Sequence, residues 1–519
     1  MSGLPALASE KPESTWTTPT DQIVIGKDIM ELLSNSMYVD PMSIYREYVQ
    51  NAADAIDAAK IGGVFQPRER GQVSIDIDLT ERLVRIRDNG TGIPRQEFVS
   101  RLTAFGASTK RGSTARGFRG VGRLAGIGYC QQVVFRSRSN RKEEVSELRW
   151  DCRKLKSIMN SKEFIGNLAD LVRETASVRT ISDKNAPDHF FEVELQGIVR
   201  HKNDSLLDAH AIYNYLSQVA PVPFSPEFRY GEEIESKLAP YTSLANLHIE
   251  IAGRNSPVYR PHRNEFEIRV GAIDNFSALE FIEIPGSENN LAAIGWVLHH
   301  GYLGAIPPRV GISGLRFRSG NIQIGSTNIL EEIFPETRFN AWAVGELHVI
   351  DSRILPNGRR DHFEQNVHFH NVLNHMGPVV RAISNRARIS SVRRICLRDL
   401  ALQKQTVEEK VSIIKQGSLA KIERERFAQE IRKCMDSMER LAGRNILTDE
   451  ERQGALRDIG KLRGDLGKVL DGSPVSGYLS KLSKGKRETY QSVFAMIYEC
   501  APNQEVAKTI VDRILRRIR

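Results

Sequence analysis

Cysteine is scarce in this chain of 519 residues. The five cysteines are far apart, and none of them forms a CxxC motif or a Cys/His cluster: Cys130, Cys152, Cys396, Cys434 and Cys500. This spacing argues against a disulfide-stapled secreted fold and against a structural zinc site. It is typical of reduced thiols in a cytosolic protein.

Long apolar runs are also missing from the sequence. No window approaches the run of about 18 apolar residues that indicates a membrane-spanning helix. The first 20 residues are rich in Ser, Thr and Pro and have no apolar core, so they do not resemble a secretory signal. We therefore expect residues 1–20 to be a disordered lead-in, and the protein to be cytoplasmic with no membrane partner.

The excess of positive charge is modest. Lysine and arginine together number 73 and the acidic residues 64, which gives a formal net charge of +9. Such a balance permits contact with nucleic acid or an acidic partner. Solvated helix faces are the interpretation we prefer for a surplus of this size, and nucleic acid stays an alternative partner.

One stretch combines helix-forming residues with regularly spaced polar groups. Residues 46–59 contain no glycine or proline and are rich in alanine, which predicts a helix. Glu47, Asn51 and Asp54 are separated by four and three residues, so they lie along one face of that helix. A carboxylate and a carboxamide that face the same way can share a ligand.

A short strand leads into a turn that begins with an aspartate. Residues 83–87 alternate between apolar and charged side chains, which predicts a half-buried strand. The segment Asp88-Asn89-Gly90-Thr91-Gly92 then ends the strand. An aspartate at this position can accept a hydrogen bond from a buried ligand amine, and the two glycines leave room for a flat ring beside it.

A glycine-rich segment is the third element of this pattern. Gly120, Val121 and Gly122 precede an apolar run of helical character, which would offer free N–H groups and a positive helix end to phosphate. By itself this glycine spacing is weak evidence of a phosphate site. The three elements in this order, between residues 46 and 127, are much more specific.

Together the three elements resemble the GHKL ATPases, the family of gyrase, the ninety-kilodalton heat-shock chaperones, histidine kinases and MutL. The family's E-x-x-x-N helix corresponds to Glu47 and Asn51, its D-x-G-x-G turn to residues 88–92, and its glycine loop to residues 120–122. The run Asn51-Ala52-Ala53-Asp54-Ala55 and residues 29–38 are most similar to the heat-shock chaperones.

The resemblance implies a Bergerat ATP-binding fold and a role for each motif residue. Asp88 would accept the adenine amino group, Asn51 would ligate Mg²⁺, and Glu47 would polarise the attacking water as general base. The other ATP contacts that it implies within the motifs are Asp54, Gly90, Gly92, Gly120, Val121 and Gly122. ATP and Mg²⁺ are therefore the expected cofactors.

The resemblance also implies contacts outside the three motifs. The small, polar and basic segment between residues 105 and 116 would be a mobile lid, from which Ser108, Thr109 and Lys110 reach the phosphates; an ordinary surface loop is the alternative. The family has a threonine that touches the adenine-binding aspartate through water. Thr180 is one candidate, but the position falls near His189 if residues 190–195 are the equivalent strand.

We predict an α/β chain with several domains. Residues 21–200 would form a two-layer α/β sandwich that contains the nucleotide site. Its predicted strands are residues 72–79 and 83–87, which form a hairpin, and residues 132–137, 144–150 and 190–195. Residues 205–365 would form a second α/β domain, with strands near residues 247–251, 280–284, 293–298, 311–325 and 342–350.

The second domain resembles the middle domain of the heat-shock chaperones. In that domain a strand leads to a loop whose arginine reaches the γ-phosphate and offsets the charge that develops during phosphoryl transfer. Arg360 or Arg359 would fill this role, and the sequence favours Arg360. The alternative is a surface pair of arginines bound to Asp361 or Glu364.

Residues 375–519 would be a helical region, broken near residues 471–474. Six arginines lie between residues 381 and 398. Two sets of apolar residues recur at helical spacing: Phe427, Ile431, Met435, Met438 and Leu441, and then Val506, Ile510, Ile514, Leu515 and Ile518. Such stripes are usually packing faces, and we expect this region to hold two protomers together as a homodimer.

The predicted function is that of a slow ATPase that acts as a nucleotide-driven molecular clamp, chaperone-like, on client or partner proteins. A DNA-linked ATPase of the MutL or MORC sort is the alternative, because the lid and glycine-loop sequences resemble those of MutL and the arginine-rich segment could contact phosphates. A histidine kinase is disfavoured because no phosphoacceptor histidine segment precedes the nucleotide domain. A binder without enzymatic activity would result if the arginine cannot reach ATP.

Overall fold

A computed structural model describes residues 40–65, 69–104, 122–161, 164, 166–200, 203–287, 290–472 and 478–518. The chain divides into two compact units. The first comprises Met1–His300 with Ala305–Val380, and the second comprises Gly301–Gly304 with Arg381–Arg519. The predicted lead-in, residues 1–20, lies outside the described residues.

The predicted alanine-rich helix is present as α1 (Ser43–Ile61). Its apolar stripe is buried, with Tyr48, Ala52 and Ala59 each at most 3% exposed. Four further helices contribute to the same core: α2 (Arg95–Thr103), α3 (Cys152–Asn160), α4 (Leu168–Thr175) and α5 (Ala209–Val219). These helices form one layer of the domain.

A mixed sheet forms the second layer, with seven strands among the described residues. They are β1 (Gln72–Asp78), β2 (Leu83–Asp88), β3 (Gln132–Arg138), β4 (Val145–Asp151), β5 (Ala176–Ile181), β6 (Phe190–Gln196) and β7 (His248–Ile251). Their order is β5-β4-β3-β6-β2-β1-β7. All neighbours are antiparallel except β1 and β7.

The predicted two-layer α/β sandwich is confirmed, and the predicted hairpin is the β1–β2 pair, with Asp78 opposite Leu83. One strand lies elsewhere than expected. Strand β7 was assigned from sequence to the second domain, but it pairs in parallel with Gln72–Ile75 at the edge of the first sheet. Its alternate residues Ile249 and Ile251 are buried in the core of the first sheet, which accounts for this placement.

The sheet face opposite the helices carries a ladder of charged side chains instead of an apolar core. Glu192, Glu194 and Glu147 are at most 4% exposed there. Arg136 contacts all three carboxylates, at 2.8, 3.0 and 2.7 Å respectively. Although burial opposes ionisation, hydrogen bonds from Gln196, Arg136 and Arg85 hold the pKa of Glu194 below its usual range. The ladder therefore keeps the buried carboxylate of Glu194 charged.

A second sheet belongs to the same unit, with the described strands β8 (Glu265–Arg269), β9 (Ala272–Pro285), β10 (Leu291–His300), β11 (Gly314–Ser319), β12 (Ile322–Ile324) and β13 (Val344–Val349). Their order is β12-β11-β13-β10-β9-β8, and β11 and β13 are parallel. Helix α6 (Gly231–Leu238) packs on this sheet through Ile234 and Leu238, against Ile294 and Trp296. The second α/β architecture predicted from sequence is thus present.

Two buried arginines, Arg318 of β11 and Arg260 in the loop before β8, bond to the end of α5 and to the segment that follows it. Arg318 donates to the carbonyl oxygen of Gln218 at 2.6 Å, and Arg260 donates to that of Val222 at 3.0 Å. Both arginines contact the carboxylate of Glu346, which is 2% exposed. Although burial opposes ionisation, the charges of Arg260 and Arg318 hold the pKa of Glu346 well below its usual range.

The second unit is helical in its described residues. Its helices are α7 (Val367–Lys415, from residue 381 onward), α8 (Lys421–Ala442), α9 (Asp449–Asp471), α10 (Lys484–Cys500) and α11 (Gln504–Arg517). The predicted stripe on α8 is buried at Phe427, Ile431, Met435 and Met438. On α11 the buried residues are Ala507, Val511 and Leu515, whereas Val506 and Ile510 are each 40% exposed, contrary to the predicted stripe.

We predict that Arg136→Met destabilises the protein by on the order of 2 kcal/mol or more, because it leaves three nearly buried carboxylates without a shared cation. Urea unfolding, followed by the denaturation midpoint, measures this loss. Arg149→Met is the matched control: Arg149 lies on the same face of β4, is exposed, and has no ion pair among the described residues. Equal midpoints for the two variants would contradict the role given to Arg136.

Candidate nucleotide site

Strand β2 ends at a buried carboxylate. Asp88 is 5% exposed, and its Oδ1 accepts a hydrogen bond from the backbone N–H of Gly90 at 2.9 Å. No cation contacts it among the described residues. Burial therefore raises the pKa of Asp88 to about 7, although the Gly90 bond works in the opposite direction. A buried acceptor of this kind is suited to a ligand that brings its own hydrogen-bond donor.

The turn after Asp88 packs directly on α1. The Thr91 N–H donates to the carbonyl oxygen of Ala55 at 3.3 Å, and a Cβ at Gly90 would lie 2.6 Å from the Cβ of Ala55. Gly92 has a φ of +63°, and a Cβ there would lie 2.1 Å from the carbonyl oxygen of Arg138. A side chain at Gly90 would push the turn away from α1, and one at Gly92 would push it away from β3, so the two glycines let the turn fit between the helix and the sheet.

His189 holds the same turn from the sheet side. Its Nδ1 lies 3.0 Å from the carbonyl oxygen of Asn89 and 2.9 Å from that of Gly90, so Nδ1 carries the proton and donates. Thr180, in contrast, is exposed on the edge strand β5, four strands away from β2 in the sheet. The structure does not bring Thr180 to Asp88. Strand β5 pairs with β4, whereas β2, which ends at Asp88, pairs with β6 and β1.

Glu47 lies nearer to the start of α1 than Ala55, the residue that contacts the Asp88 turn. It is 6% exposed, and a Cβ at Gly122 would lie 2.4 Å from its Oε2. Arg46 contacts its Oε1 at 3.3 Å. Arg360, in the loop between β13 and α7, contacts the same oxygen at 3.6 Å. One carboxylate thus faces Gly122 on one side and two guanidinium groups on the other.

Arg360 reaches Glu47 from an unusual backbone conformation. Its φ is +56°, in the left-handed region that non-glycine residues rarely adopt. Two backbone bonds stabilise this turn: Arg360 N–H donates to Asn357 at 3.1 Å, and its carbonyl oxygen accepts from Gly325 N–H at 2.8 Å. Arg359 is exposed instead, and its carbonyl oxygen accepts a hydrogen bond from Arg46 at 3.3 Å. The two arginines are therefore not equivalent.

Asn51 and Asp54 continue the polar face of α1. The side chain of Asn51 is half-buried and has no hydrogen-bond partner among the described residues. Its carboxamide oxygen is therefore available to a ligand. Asp54 is 9% exposed and lies one turn further along. The described residues contain no cluster of three acidic, histidine or cysteine side chains that could hold a metal alone. A lone carboxamide oxygen fits Mg²⁺, which usually keeps waters and shares its other ligands with substrate phosphates.

The remaining predicted contacts are only partly visible. Ser108, Thr109, Lys110, Gly120 and Val121 lie outside the described residues. The described chain resumes at Gly122, which begins a 3₁₀ helix that ends at Gly128. The Gly126 N–H donates to the hydroxyl oxygen of Tyr48 at 3.2 Å, which fixes this helix against α1.

Helix α1 arranges these groups in a line. With a rise of about 1.5 Å per residue, Glu47 and Asn51 are separated by about 6 Å along the axis, and Asn51 and Ala55 by about the same distance. Ala55 is the residue that contacts the Asp88 turn. Along the helix, the order is therefore the guanidinium groups of Arg46 and Arg360, the carboxylate of Glu47, the carboxamide of Asn51 and the carboxylate of Asp88. This order suits a ligand with a phosphate chain at one end and a base at the other.

Sequence reasoning missed two residues that shape this site. Arg46 shares the Glu47 carboxylate, and its only sequence signal is a basic residue directly before the glutamate. Ser137 is 1% exposed on β3; its Oγ accepts from Ile93 N–H at 2.8 Å and donates to the Phe190 carbonyl oxygen at 2.9 Å. A buried serine that ties the aspartate turn to two strands has no recognisable sequence signal.

Comparison with known proteins agrees with this geometry. Residues 39–176 match the family described as histidine kinase-, DNA gyrase B- and HSP90-like ATPase. The match contains α1, the Asp88 turn and the 3₁₀ helix, and it ends at the first residue of β5.

Several curated chaperones are similar to part of the chain. An endoplasmin homolog of Caenorhabditis elegans is 30% identical over 132 residues, which are 22% of this chain and 17% of that protein. The chaperone protein HtpG of Polaromonas naphthalenivorans is 23% identical over 196 residues, 34% of this chain and 30% of that protein. HtpG of Mycolicibacterium vanbaalenii is 31% identical over 89 residues, 16% and 14% of the two chains. The chain thus spans less than a third of the length of these relatives.

Fold, site geometry and similarity together define a GHKL-type ATPase domain in the first unit. Within that class, the domain is most like those of the ninety-kilodalton heat-shock chaperones, as the sequence motifs predicted. In the described parts of the chain, we find no helix with the length and apolar character needed to cross a bilayer.

We predict that Asp88→Asn stabilises the ligand-free protein above pH 7. The folded-state pKa of about 7 exceeds the unfolded value, so the folded protein retains a proton that the unfolded chain loses between about pH 4 and pH 7. Stability therefore falls as pH rises through this window, by up to about 4 kcal/mol. The variant should remove this loss, and should match the wild type near pH 4.

Urea unfolding at about pH 4.5, 6 and 8 measures the effect, because these values span the interval between the unfolded and folded pKa values of Asp88. Asp76→Asn is the matched control, because Asp76 is an exposed aspartate of β1 in the same sheet. A pH dependence of stability that is the same in the wild type and in Asp88→Asn would contradict the interpretation of Asp88 as a buried, uncompensated carboxyl group.

Proposed function

We propose that this protein binds ATP with Mg²⁺, hydrolyses it slowly, and acts as a nucleotide-driven clamp of the chaperone type. One observation carries the proposal: Arg360, from the loop between β13 and α7, contacts Oε1 of the Glu47 carboxylate, whose Oε2 faces Gly122 of the ATPase domain. Because Arg360 comes from outside the ATPase domain, hydrolysis would depend on how two parts of the chain are arranged.

At one end of the site, Asp88 would accept a hydrogen bond from the adenine amino group. The carboxylate is buried and the glycine turn beside it leaves a cradle that side chains would fill. Guanine presents a carbonyl oxygen at the corresponding position, so the same carboxylate would repel it. The Asp88→Asn variant is therefore expected to gain stability and to lose ATP.

At the other end, Asn51 would hold Mg²⁺ through its carboxamide oxygen while the phosphates and waters complete the shell. The metal would supply positive charge that offsets the negative charge of the phosphates. Gly122 would bring its backbone close to the phosphates, as would Gly120 and Val121, which lie outside the described residues with the lid candidates Ser108, Thr109 and Lys110.

Glu47 would accept a proton from the attacking water as the new bond to the γ-phosphorus forms and the bond to the β-phosphate oxygen breaks. In the ligand-free arrangement its Oε1 is engaged by Arg46 and Arg360. The γ-phosphate would compete for Arg360, release the carboxylate from one cation, and take up that cation where negative charge develops. Arg360, rather than Arg359, is therefore proposed as the catalytic arginine, and Asp54 as a residue that orients the pocket.

The wider assignment follows from the chaperones to which the chain is similar. We propose that it acts on client or partner proteins as a homodimer, in the cytoplasm. Domains at residues 21–200, 205–365 and 375–519 remain part of this proposal. Because the chain spans under a third of those relatives, clients and dimer are inferred from the resemblance alone.

A DNA-linked ATPase is the alternative, supported by the arginine-rich start of the second unit. There, Arg393 pairs with Glu451 at 2.7 Å, and Arg394 donates to Ser390 at 3.0 Å. These internal contacts leave fewer cations for phosphate. Hydrolysis that DNA stimulates, with binding that falls steeply as salt increases, would favour this alternative.

We predict that Glu47→Ala retains a non-hydrolysable ATP analogue with a dissociation constant within about threefold of the wild type, and lowers kcat by about 10² to 10⁴, the usual contribution of a general base. Calorimetry and a steady-state phosphate-release assay measure the two effects. Glu81→Ala, at an exposed glutamate of the β1–β2 turn, is the control. Unchanged turnover in Glu47→Ala would remove the base assignment.

We predict that Arg360→Gln lowers kcat by about 10²-fold, because a preorganised cation is lost where charge develops in the transition state. Arg359→Gln should cause a smaller loss, since its side chain is exposed and only its carbonyl oxygen takes part in the contact with Arg46. Arg338→Gln, at an exposed arginine of the same region, is the control for loss of surface charge. A larger effect at Arg359 than at Arg360 would reverse the assignment.

A further inference from the structure

One peptide group of the aspartate turn is held at both of its ends. It joins Asn89 to Gly90. Its N–H donates to Asp88 Oδ1 at 2.9 Å, and its carbonyl oxygen accepts from His189 Nδ1 at 3.0 Å. A peptide group is planar, so the imidazole that fixes the carbonyl oxygen also fixes the direction of the N–H. Because hydrogen bonds in a chain polarise one another, the same contact strengthens the donation to Asp88.

The next peptide group is held in the same way and ties the turn to the helix. It joins Gly90 to Thr91. Its carbonyl oxygen accepts from the same His189 Nδ1 at 2.9 Å, and its N–H donates to the carbonyl oxygen of Ala55 on α1 at 3.3 Å. His189 is therefore the common partner of two successive peptide groups, of which one orients the carboxylate and the other contacts α1.

The imidazole of His189 has few other contacts. The residue is half-buried and directly precedes β6. Its ring centroid lies 6.0 Å from that of Phe65, a residue that follows α1. Its second nitrogen, Nε2, has no hydrogen-bond partner among the described residues. In the described chain, the polar contacts of this side chain thus go to the aspartate turn.

Asp88 depends on this arrangement. The Gly90 N–H is the one hydrogen-bond donor that contacts its carboxylate among the described residues, and no cation contacts it there. Burial raises the pKa of this carboxyl group to about 7, and the Gly90 hydrogen bond acts against burial. If the peptide group between Asn89 and Gly90 rotated, Oδ1 would lose its donor and the carboxylate would be free to turn.

We propose that His189 is a positioning residue of the nucleotide site: through the peptide group between Asn89 and Gly90 it holds Asp88 Oδ1, and so presents Oδ2 to the amino group of the purine. His189 acts at the purine end and not at the phosphates. It therefore determines how tightly nucleotide binds and leaves the rate of the hydrolytic step unchanged. The proposal rests on the proposed ATPase function for the identity of the ligand, but the link from His189 to Asp88 does not.

Three substitutions separate the position of the donor from the presence of a polar side chain. Asparagine carries its amide nitrogen at the δ position, as histidine carries Nδ1, whereas glutamine carries it one atom further out and leucine has no donor. His189→Asn should keep a hydrogen bond to the Asn89 carbonyl oxygen. His189→Gln and His189→Leu should lose it.

The first measurement is calorimetry of the full chain with Mg²⁺ and a non-hydrolysable ATP analogue. We expect His189→Leu and His189→Gln to weaken binding by about three- to tenfold, the usual net contribution of one hydrogen bond. His189→Asn should stay within about twofold of the wild type. In all three variants kcat at saturating ATP should stay within about twofold, because lost ground-state binding alters KM and not kcat.

The second measurement follows the ionisation of Asp88 in the ligand-free protein and needs no nucleotide. We use ¹³C NMR of the chain labelled at its aspartate carboxyl carbons, with the Asp88→Asn spectrum to identify the resonance. The wild-type midpoint should lie at about pH 7, and it should be higher in His189→Leu and His189→Gln but not in His189→Asn. Loss of a charge on the imidazole would instead raise the midpoint equally in all three variants.

His375→Leu is the matched control. The Nδ1 of His375 also donates to a backbone carbonyl oxygen, that of Asn371 at 2.9 Å, but on an exposed turn of α7. This variant should change neither the affinity nor the Asp88 midpoint. If His189→Leu does not fold, the comparison of His189→Asn with His189→Gln carries the test.

The proposal is overturned if all three His189 variants bind the analogue as the wild type does, if His189→Asn is as weak as His189→Gln, or if the Asp88 midpoint moves in none of them. Unchanged binding of the analogue in all three variants removes the role of His189 and leaves the ATPase. An Asp88 midpoint that shifts in His189→Gln and not in His189→Asn, in a protein that does not bind the analogue, supports the link from His189 to Asp88 and removes nucleotide as the ligand.

Discussion

The carboxylate of Glu47 is the group on which the arrangement of the first unit depends. It is contacted by a neighbour on its own helix, faces the glycine segment across a gap too small for a Cβ, and is reached by Arg360 from the region of the second sheet. Removing both arginines would leave a nearly buried charge without these two cations, which is strongly unfavourable. The contact therefore ties the geometry of one sheet to that of the other through a single side chain.

Three buried carboxyl groups in this unit show how the site differs from its surroundings. Glu194 is held charged by arginines of the ladder, and Glu346 by Arg260 and Arg318. Asp88 is as deeply buried, but its described partner is one backbone N–H, and its pKa rises to about 7. The fold thus pairs Glu194 and Glu346 with arginines but leaves Asp88 with no described cation, which supports its proposed role as the acceptor of a ligand.

The sequence predicted what depends on local pattern. The stripe Glu47, Asn51 and Asp54 follows from helical periodicity, and the aspartate turn from a strand that ends in glycines, so both are present where expected. It left open which strand borders Asp88. Thr180 was one candidate for the threonine contact, and a position near His189 followed if residues 190–195 were the equivalent strand; the sheet order puts β6 and His189 next to the turn. Strand order depends on contacts between distant residues, which a single sequence does not reveal. The sequence favoured Arg360 over Arg359, and Arg360 is the one that contacts Glu47, but it does so from a left-handed backbone conformation that side-chain patterns do not encode.

Two buried arginines, Arg318 of β11 and Arg260 in the loop before β8, make this geometry rigid. Both are at most 2% exposed; Arg318 donates to the carbonyl oxygen of Gln218 in the last turn of α5, and Arg260 donates to that of Val222, just after the helix. Helix α5 in turn packs its Ile212 and Leu216 into the core that contains α1. The position of Arg360 relative to Glu47 is thus fixed by a chain of buried contacts, from α1 through α5 and residues 218–222 to the second sheet. Since buried charges are costly to separate, motion that withdraws Arg360 is expected to occur in its own loop, residues 357–361, rather than at the junction of α5 with the second sheet.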